Sequence, residues 1–157
     1  MAIVVNKPLP EFEANATGGV KVSNTSHVGK TMVLYFYPKD DTPWCTLEAQ
    51  TFTRLKSDFS LLGIQIIGVS KDSEASHEKF ITKCDLGIRL IADEDSSLHE
   101  QFWVIGEKKN YGKIYIGTIR STFLLDEGGK ILKEWRNVKA TGHGEKVLRE
   151  VKEFLEG

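Results

Sequence analysis

The run at residues 31–37, TMVLYFY, and the octapeptide after it, Pro38-Lys39-Asp40-Asp41-Thr42-Pro43-Trp44-Cys45, constrain the fold more than any other stretch. The run is short, rich in β-branched and aromatic side chains and free of polar alternation, which predicts a strand buried on both faces. Beyond the octapeptide, Cys45, Ala49, Phe52, Leu55 and Phe59 recur at three- and four-residue steps, one face of a helix from Pro43 to about Phe59. Thr42 suits the N-cap of that helix, and Pro43 its first position, where a missing N–H costs nothing. Cys45 then falls in the first turn, where free backbone N–H groups and the positive end of the helix dipole favour a thiolate. That placement makes Cys45 a candidate nucleophile.

The rest of the chain repeats the strand-then-helix alternation. Residues 64–70 (IQIIGVS) form a second apolar run and 88–92 a short third one. Asp72 and Ser73 offer capping groups for a helix through Lys83 that carries His77, Phe80, Ile81 and Cys84 along one side. Asp95 is the expected cap of a short helix with Leu98 and Phe102. Upstream, 7–10 (KPLP) reads as extended, 12–16 and 20–23 flank Thr17-Gly18-Gly19 as a small hairpin, and 27–30 turns into the first run. Residues 106–117 (GEKKNYGKIYIG) are polar and glycine-punctuated and read as an ordered loop. Strands over 118–125 and 130–136 meet at Asp126-Glu127-Gly128-Gly129, and 144–155 is an amphipathic helix showing Val147, Leu148, Val151, Phe154 and Leu155. The order predicts one domain over 1–157. Its class is α/β, a central, mostly parallel mixed sheet flanked by helices, which is the plan of a thioredoxin-like fold.

Composition narrows the function classes. With 21 basic and 22 acidic residues among 157, and no block of either sign, the net charge of −1 implies neither nucleic acid nor an anionic membrane as partner. No apolar stretch approaches a bilayer span, and the first residues carry no basic leader. Two cysteines are too few for a secreted disulfide scaffold, so a cytoplasmic protein is expected. His27, His77, His99 and His143 lack ligand spacing, and no metal or other cofactor is expected.

Trp44-Cys45 resembles the opening of the thioredoxin redox motif, but Glu48 stands where its second cysteine would be, so that dithiol centre is absent. The pattern Pro38-x-x-x-Thr42-x-x-Cys45 resembles instead the active site of the peroxiredoxins. The resemblance covers nearly the whole chain. YFYPKDDTPWCTLEA, GVSKDSEASHEKF, LIADEDSSLHEQFWVIGEK, YGKIYIGTIRSTFLLDEGGKI and the terminal helix are all similar to the bacterioferritin-comigratory, or PrxQ, branch of that family.

What the resemblance implies is a thiol peroxidase for hydrogen peroxide and alkyl hydroperoxides that uses no metal, haem or flavin. Cys45 becomes the peroxidatic nucleophile and passes through a sulfenic acid. Thr42 places a hydroxyl near the sulfur, and Pro38 shields the sulfur from water. Arg120, in IRSTF, brings a permanent charge to the thiolate and the leaving oxygen. Glu48, one turn after Cys45, either orients Arg120 or is an ordinary first-turn glutamate. Trp44 departs from the family, which usually has a smaller residue there.

Many members of the branch carry a second cysteine five residues after the first, where this chain has Gln50. Others of the branch place their resolving cysteine in the next helix, and the resemblance makes Cys84 its counterpart, the resolving cysteine. It implies an intramolecular disulfide with Cys45, formed after local unfolding of both segments and recycled by thioredoxin or glutaredoxin. Two alternatives stay open. One is a one-cysteine peroxidase with Cys84 as packing, the other a non-catalytic redox sensor on the same fold. The branch implies a monomer.

Overall fold

The computed structural model describes residues 13–23, 31–126 and 129–156. The extended segment expected at 7–10, the turn at 27–30 and positions 127 and 128 of the last hairpin turn lie outside them.

In chain order the elements are β1 (Glu13–Ala16), β2 (Val20–Ser23), β3 (Thr31–Phe36), α1 (Pro43–Arg54), α2 (Lys56–Leu61), β4 (Ile64–Ser70), α3 (Glu74–Cys84) and β5 (Arg89–Ala92). They continue as α4 (Ser97–Gln101), β6 (Ile105–Asn110), β7 (Lys113–Thr118), β8 (Ser121–Leu125), β9 (Ile131–Trp135) and α5 (His143–Glu156). Seven strands join in one sheet in the order β2-β1-β5-β4-β3-β8-β9, and β6 and β7 pair separately.

The thioredoxin-like α/β plan is present, a mixed sheet with helices on both faces. Parallel pairing is confined to the three central strands, β5-β4-β3. The ladders outside them are antiparallel, so "mostly parallel" describes the middle of the sheet and not its edges. The cause is the connections: hairpins supply the outer strands, and only helical crossovers return a strand in the same direction.

β3 lies at the centre, and its period of two divides the core. Val33, Tyr35 and Tyr37 face Phe52, Phe59, Phe80, Val147 and Val151, the layer built by α1, α2, α3 and α5. Met32, Leu34 and Phe36 face Leu98, Phe102, Phe123 and Ile131 on the other side. Every residue from Met32 to Tyr37 is buried, which explains a run without polar alternation. Gly68 stands opposite Tyr35 in the β3–β4 ladder, and a Cβ there would fall 2.8 Å from Tyr35 Cζ and from Leu90 Cδ2. Gly68→Ala is therefore expected to cost about 1–3 kcal/mol by overpacking, read as a lower denaturation midpoint at constant slope. An unchanged midpoint would mean that the Tyr35 ring shifts freely.

Four local expectations are corrected. The segment 106–117 is a hairpin, not a loop. Tyr111 and Gly112 both have positive φ, 51° and 78°, the two-residue turn that matches strand twist, and Asn110 pairs with Lys113 across it. Its lysines and exposed Ile114, Tyr115 and Ile116 gave it a loop-like composition, whereas the turn chemistry decides the structure. The helix expected to run to Phe59 breaks at Leu55, which caps α1 before α2 begins. The strand expected over 118–125 is interrupted: Thr118 ends β7, β8 starts at Ser121, and Ile119 and Arg120 form the bend between them. Ser96, not Asp95, occupies the cap position of α4, and the Asp93 carboxylate accepts the N–H groups of Leu98 and His99 at 3.0 and 2.9 Å.

Candidate active site

The site forms where β3 hands over to α1, beside the bend that carries Arg120. Tyr37 still donates its N–H to Val69 O at 3.0 Å, and the chain then leaves the sheet at half-buried Pro38. Asp40 turns back into the protein and anchors the loop. Its Oδ1 accepts Tyr37 OH at 2.6 Å, while its Oδ2 accepts Ser76 Oγ at 2.8 Å and contacts His77 Nδ1 at 2.7 Å. The Asp40 N–H donates to Asp72 Oδ2 at 2.8 Å, and His77 Nε2 donates to Ile91 O at 2.8 Å. Burial alone would push the Asp40 carboxyl upward, but the hydrogen bonds from His77, Tyr37 and Ser76 outweigh it and hold it below the usual carboxylate range. The loop is thus fastened to α3, and Lys83 adds an exposed link to Asp41 at 2.7 Å.

Thr42 has the extended backbone of an N-cap, φ −97° and ψ 155°, and Pro43 follows it at the helix start. The cap is made by the backbone: Thr46 N–H donates to Thr42 O at 2.8 Å, while the Thr42 hydroxyl donates to Lys39 O at 2.8 Å. The hydroxyl thereby closes the 39–42 turn.

Cys45 sits in the first turn of α1 and is 2% exposed. Arg120 reaches it from the β7–β8 bend, with Nη2 3.3 Å from the sulfur, and its Nη1 donates to Glu48 Oε1. The planar fork serves both partners at once through separate nitrogens held in a fixed geometry. The bend is held on three sides. Ile119 N–H donates to Val104 O at 2.7 Å, Ser121 Oγ to Ile119 O at 2.9 Å, and Val138 N–H to Arg120 O at 2.9 Å.

Glu48 is fully buried. Burial pushes its carboxyl up to about 7, against the charge and hydrogen bond of Arg120, which work downward. Burial also acts against the charge on Arg120, but Glu48 and Cys45 more than compensate and raise the guanidinium further above its ordinary range. Arg120 is charged at every relevant pH. Tyr35 lies fully buried at the same place, stacked on Phe52 with ring centroids 4.7 Å apart. Burial first, then Glu48 and Cys45, drive its hydroxyl well above the ordinary phenol range, so Tyr35 remains a neutral phenol.

Of the residues expected at the site, the fold brings Cys45 and Arg120 into contact and sets Thr42 and Pro38 in the loop leading to them. Glu48 was balanced between two roles, and it is the partner of Arg120. Sequence reasoning misses Tyr35, since a tyrosine inside an apolar strand carries no mark separating a core residue from one beside the Cys45 sulfur. Cys84 ends α3, half-buried against the edge of the same core layer that contains Cys45, and both thiols are free. Among the described residues no group of three or more His, Cys, Asp or Glu side chains is arranged to hold a metal ion, and no helix is long and apolar enough to cross a membrane.

Comparison with known proteins gives this geometry a family. The AhpC/TSA family model matches residues 5–134. Peroxiredoxin Bcp of Bacillus subtilis is 43% identical over 156 residues, 99% of each chain. Among solved structures, a cysteine-to-serine variant of PrxQ from Xylella fastidiosa superposes with a TM-score of 0.91 at 34% identity, covering 97% of both chains. The Xanthomonas campestris bacterioferritin comigratory protein, described for its alkyl peroxide reduction activity, does so with a TM-score of 0.84 at 41% identity and 90% coverage of each. The buried Cys45 under the Arg120 fork is therefore set in a chain that belongs to the AhpC/TSA family, within its Bcp/PrxQ peroxiredoxins, and is a thiol peroxidase.

Proposed function

We propose that this enzyme reduces hydrogen peroxide and small organic hydroperoxides through Cys45, and that Cys84 resolves the oxidised sulfur. The observation that carries the first part is the Arg120 guanidinium 3.3 Å from the Cys45 sulfur, at the first turn of a helix. The Cys45 thiolate attacks one peroxide oxygen, the S–O bond forms as the O–O bond breaks, and the other oxygen leaves as hydroxide or alkoxide and takes up a proton. Sulfur is oxidised to the sulfenic acid and the peroxide is reduced to water or an alcohol. Arg120 donates toward the charge leaving the sulfur and developing on oxygen, and its fork is already oriented by Glu48 before substrate arrives. The family resemblance assigns Pro38 to shielding the sulfur from water, and the Thr42 hydroxyl keeps the 39–42 turn closed at the helix start.

In the second half-reaction the Cys84 thiol attacks the sulfenic sulfur, forming the disulfide and releasing water. A bridge needs Cα atoms within about 7 Å. Both thiols are free in this structure, and we infer that the first turn of α1 and the last turn of α3 unwind to meet, which the Lys83–Asp41 link is too weak to prevent, being exposed on both sides. Reduction by thioredoxin or glutaredoxin returns both thiols. We place the protein in the cytoplasm as a monomer. A second reading keeps Cys84 as packing, favoured by its half-burial beside the core layer, with an external thiol reducing Cys45 directly.

Intact mass after one equivalent of hydrogen peroxide, with rapid alkylation and peptide mapping, separates the two. Loss of two hydrogens mapped to a Cys45–Cys84 link within one chain is the expected result. Oxygen retained on Cys45 with Cys84 still alkylated would establish the one-cysteine route, and an unmodified chain would overturn the role of Cys45.

A further inference from the structure

The loop between β3 and α1 is fastened at one residue and loosely held beyond it. Asp40 accepts Ser76 Oγ at 2.8 Å and meets His77 Nδ1 at 2.7 Å, both on α3, while its own N–H donates to Asp72 Oδ2 at 2.8 Å. The Asp40 and His77 side chains are buried, so water does not compete for their contact. His77 is fixed in turn through Nε2 to Ile91 O at 2.8 Å, which ties the junction to β5. Past Asp40 the restraints weaken. Asp41 is exposed, and its φ of 59° is a conformation costly for an L side chain. Its bond to Lys83 joins two exposed groups. α1 then opens with neither a side-chain cap nor an acidic residue in its first turn.

Cys84 lies farther along the helix that holds Asp40. Ser76 and Cys84 are eight residues apart on α3, about 12 Å at 1.5 Å per residue. The five residue steps from Asp40 to Cys45 span about 17 Å when extended. Chain released from the start of α1 thus reaches Cys84 while Asp40 stays on α3. A cleft of about 330 Å³ follows the same line, running along α3 from Ser73 to Lys83, the neighbour of Cys84, with Asp40 and Asp41 as its other wall. We propose that Asp40, held by Ser76 and His77, is a fixed pivot for the resolving step: residues 41–45 unwind about it and carry the oxidised Cys45 along α3 to Cys84. There the S–S bond forms as the sulfenic S–O bond breaks, and the hydroxyl leaves as water with the proton of the Cys84 thiol. Fixing one end of the segment keeps the sulfenic acid near one thiol, at a higher effective concentration than a free loop would give. Asp40, Ser76 and His77 are positioning residues here and touch no reacting atom.

The pivot rests on Cys84 as the resolving thiol, and the test tells the two apart. Amide exchange is followed residue by residue in the reduced protein and after one equivalent of hydrogen peroxide, with the disulfide located by peptide mapping. The Thr46 amide, which donates to Thr42 O, should exchange more than about a hundredfold faster in the oxidised protein, and the Asp40 amide, which donates to Asp72 Oδ2, less than about threefold faster. Loss of protection at both would overturn the pivot. In single-turnover kinetics, the ratio of disulfide formation to Cys45 oxidation is expected to fall about threefold in Ser76→Ala and about tenfold in His77→Gln. Ser76 is half-buried, so its substitution tests the pivot even where His77→Gln does not fold. An unmoved ratio would make the junction merely structural, and a raised ratio would make it a clamp that must open; either overturns the pivot. Oxidised protein without a Cys45–Cys84 link would overturn the resolving role of Cys84 beneath it.

Discussion

Arg120→Met is expected to lower kcat/KM for hydrogen peroxide about a thousandfold, the loss typical of removing a preorganised donor from developing charge. The geometry argues for the upper end of that range. One guanidinium serves the sulfur and a fully buried carboxylate together, so its loss removes the donor at the Cys45 sulfur and the group that neutralises Glu48. Folding should survive, because Glu48, already pushed up to about 7, takes a proton when its partner leaves. Arg120→Lys discriminates a point charge from a fork. A lysine restores the charge but reaches either Glu48 or Cys45, and should recover only about tenfold of the loss. Single-turnover oxidation of Cys45, followed by tryptophan fluorescence or quenched-flow alkylation, measures the step without depending on any reductant. A loss below about tenfold in Arg120→Met would sink the assignment of Arg120 to charge stabilisation.

The site was legible where chemistry and local rules coincide, and illegible where only packing joins the parts. Cys45 could be placed because a Thr-Pro helix start and an apolar strand before it fix a sharp local geometry. Arg120 lies 75 positions away and was reached through family pattern, since nothing in IRSTF says that the strand breaks before Ser121 and aims the arginine inward. Glu48 looks the same in sequence whether it is a solvated first-turn acid or a buried partner. Its role depends on Arg120 arriving from the bend at the start of β8, the strand beside β3. Asp40 and His77 are 37 positions apart and became a loop anchor only once β4 and α3 set them together. The hairpin at 105–118 failed to read as strands for a different reason. Lys113 to Ile116 are exposed in succession on both faces of β7, so the alternation that marks a half-buried strand is missing there, and the Tyr111-Gly112 turn carries the signal.

Glu48 also gives the protein a stability term of unusual sign. Its carboxyl is raised from 4.5 to about 7, burial outweighing Arg120, so the folded protein holds that proton more tightly than the unfolded chain. The stabilisation is fully present below about pH 4.5 and is lost as pH rises through about 7, a change of about 3 kcal/mol. His143 runs the other way. Burial, helped by Lys146 and Arg120, lowers it from 6.5 to about 4, so its contribution is present above 6.5 and lost as pH falls through about 4. The two shifts are similar in size and opposite in sign over the same window. Wild-type stability should therefore be nearly flat between about pH 5 and 7, the flatness being a cancellation. Glu48→Gln keeps a hydrogen-bond acceptor for Arg120 and removes the proton. Urea denaturation from pH 5 to pH 8 should show the variant gaining about 2.5 kcal/mol on the wild type, with most of the gain between pH 5 and 7. A constant difference would mean that pairing with Arg120 matches or outweighs burial, and that the buried carboxylate is ionised across this range.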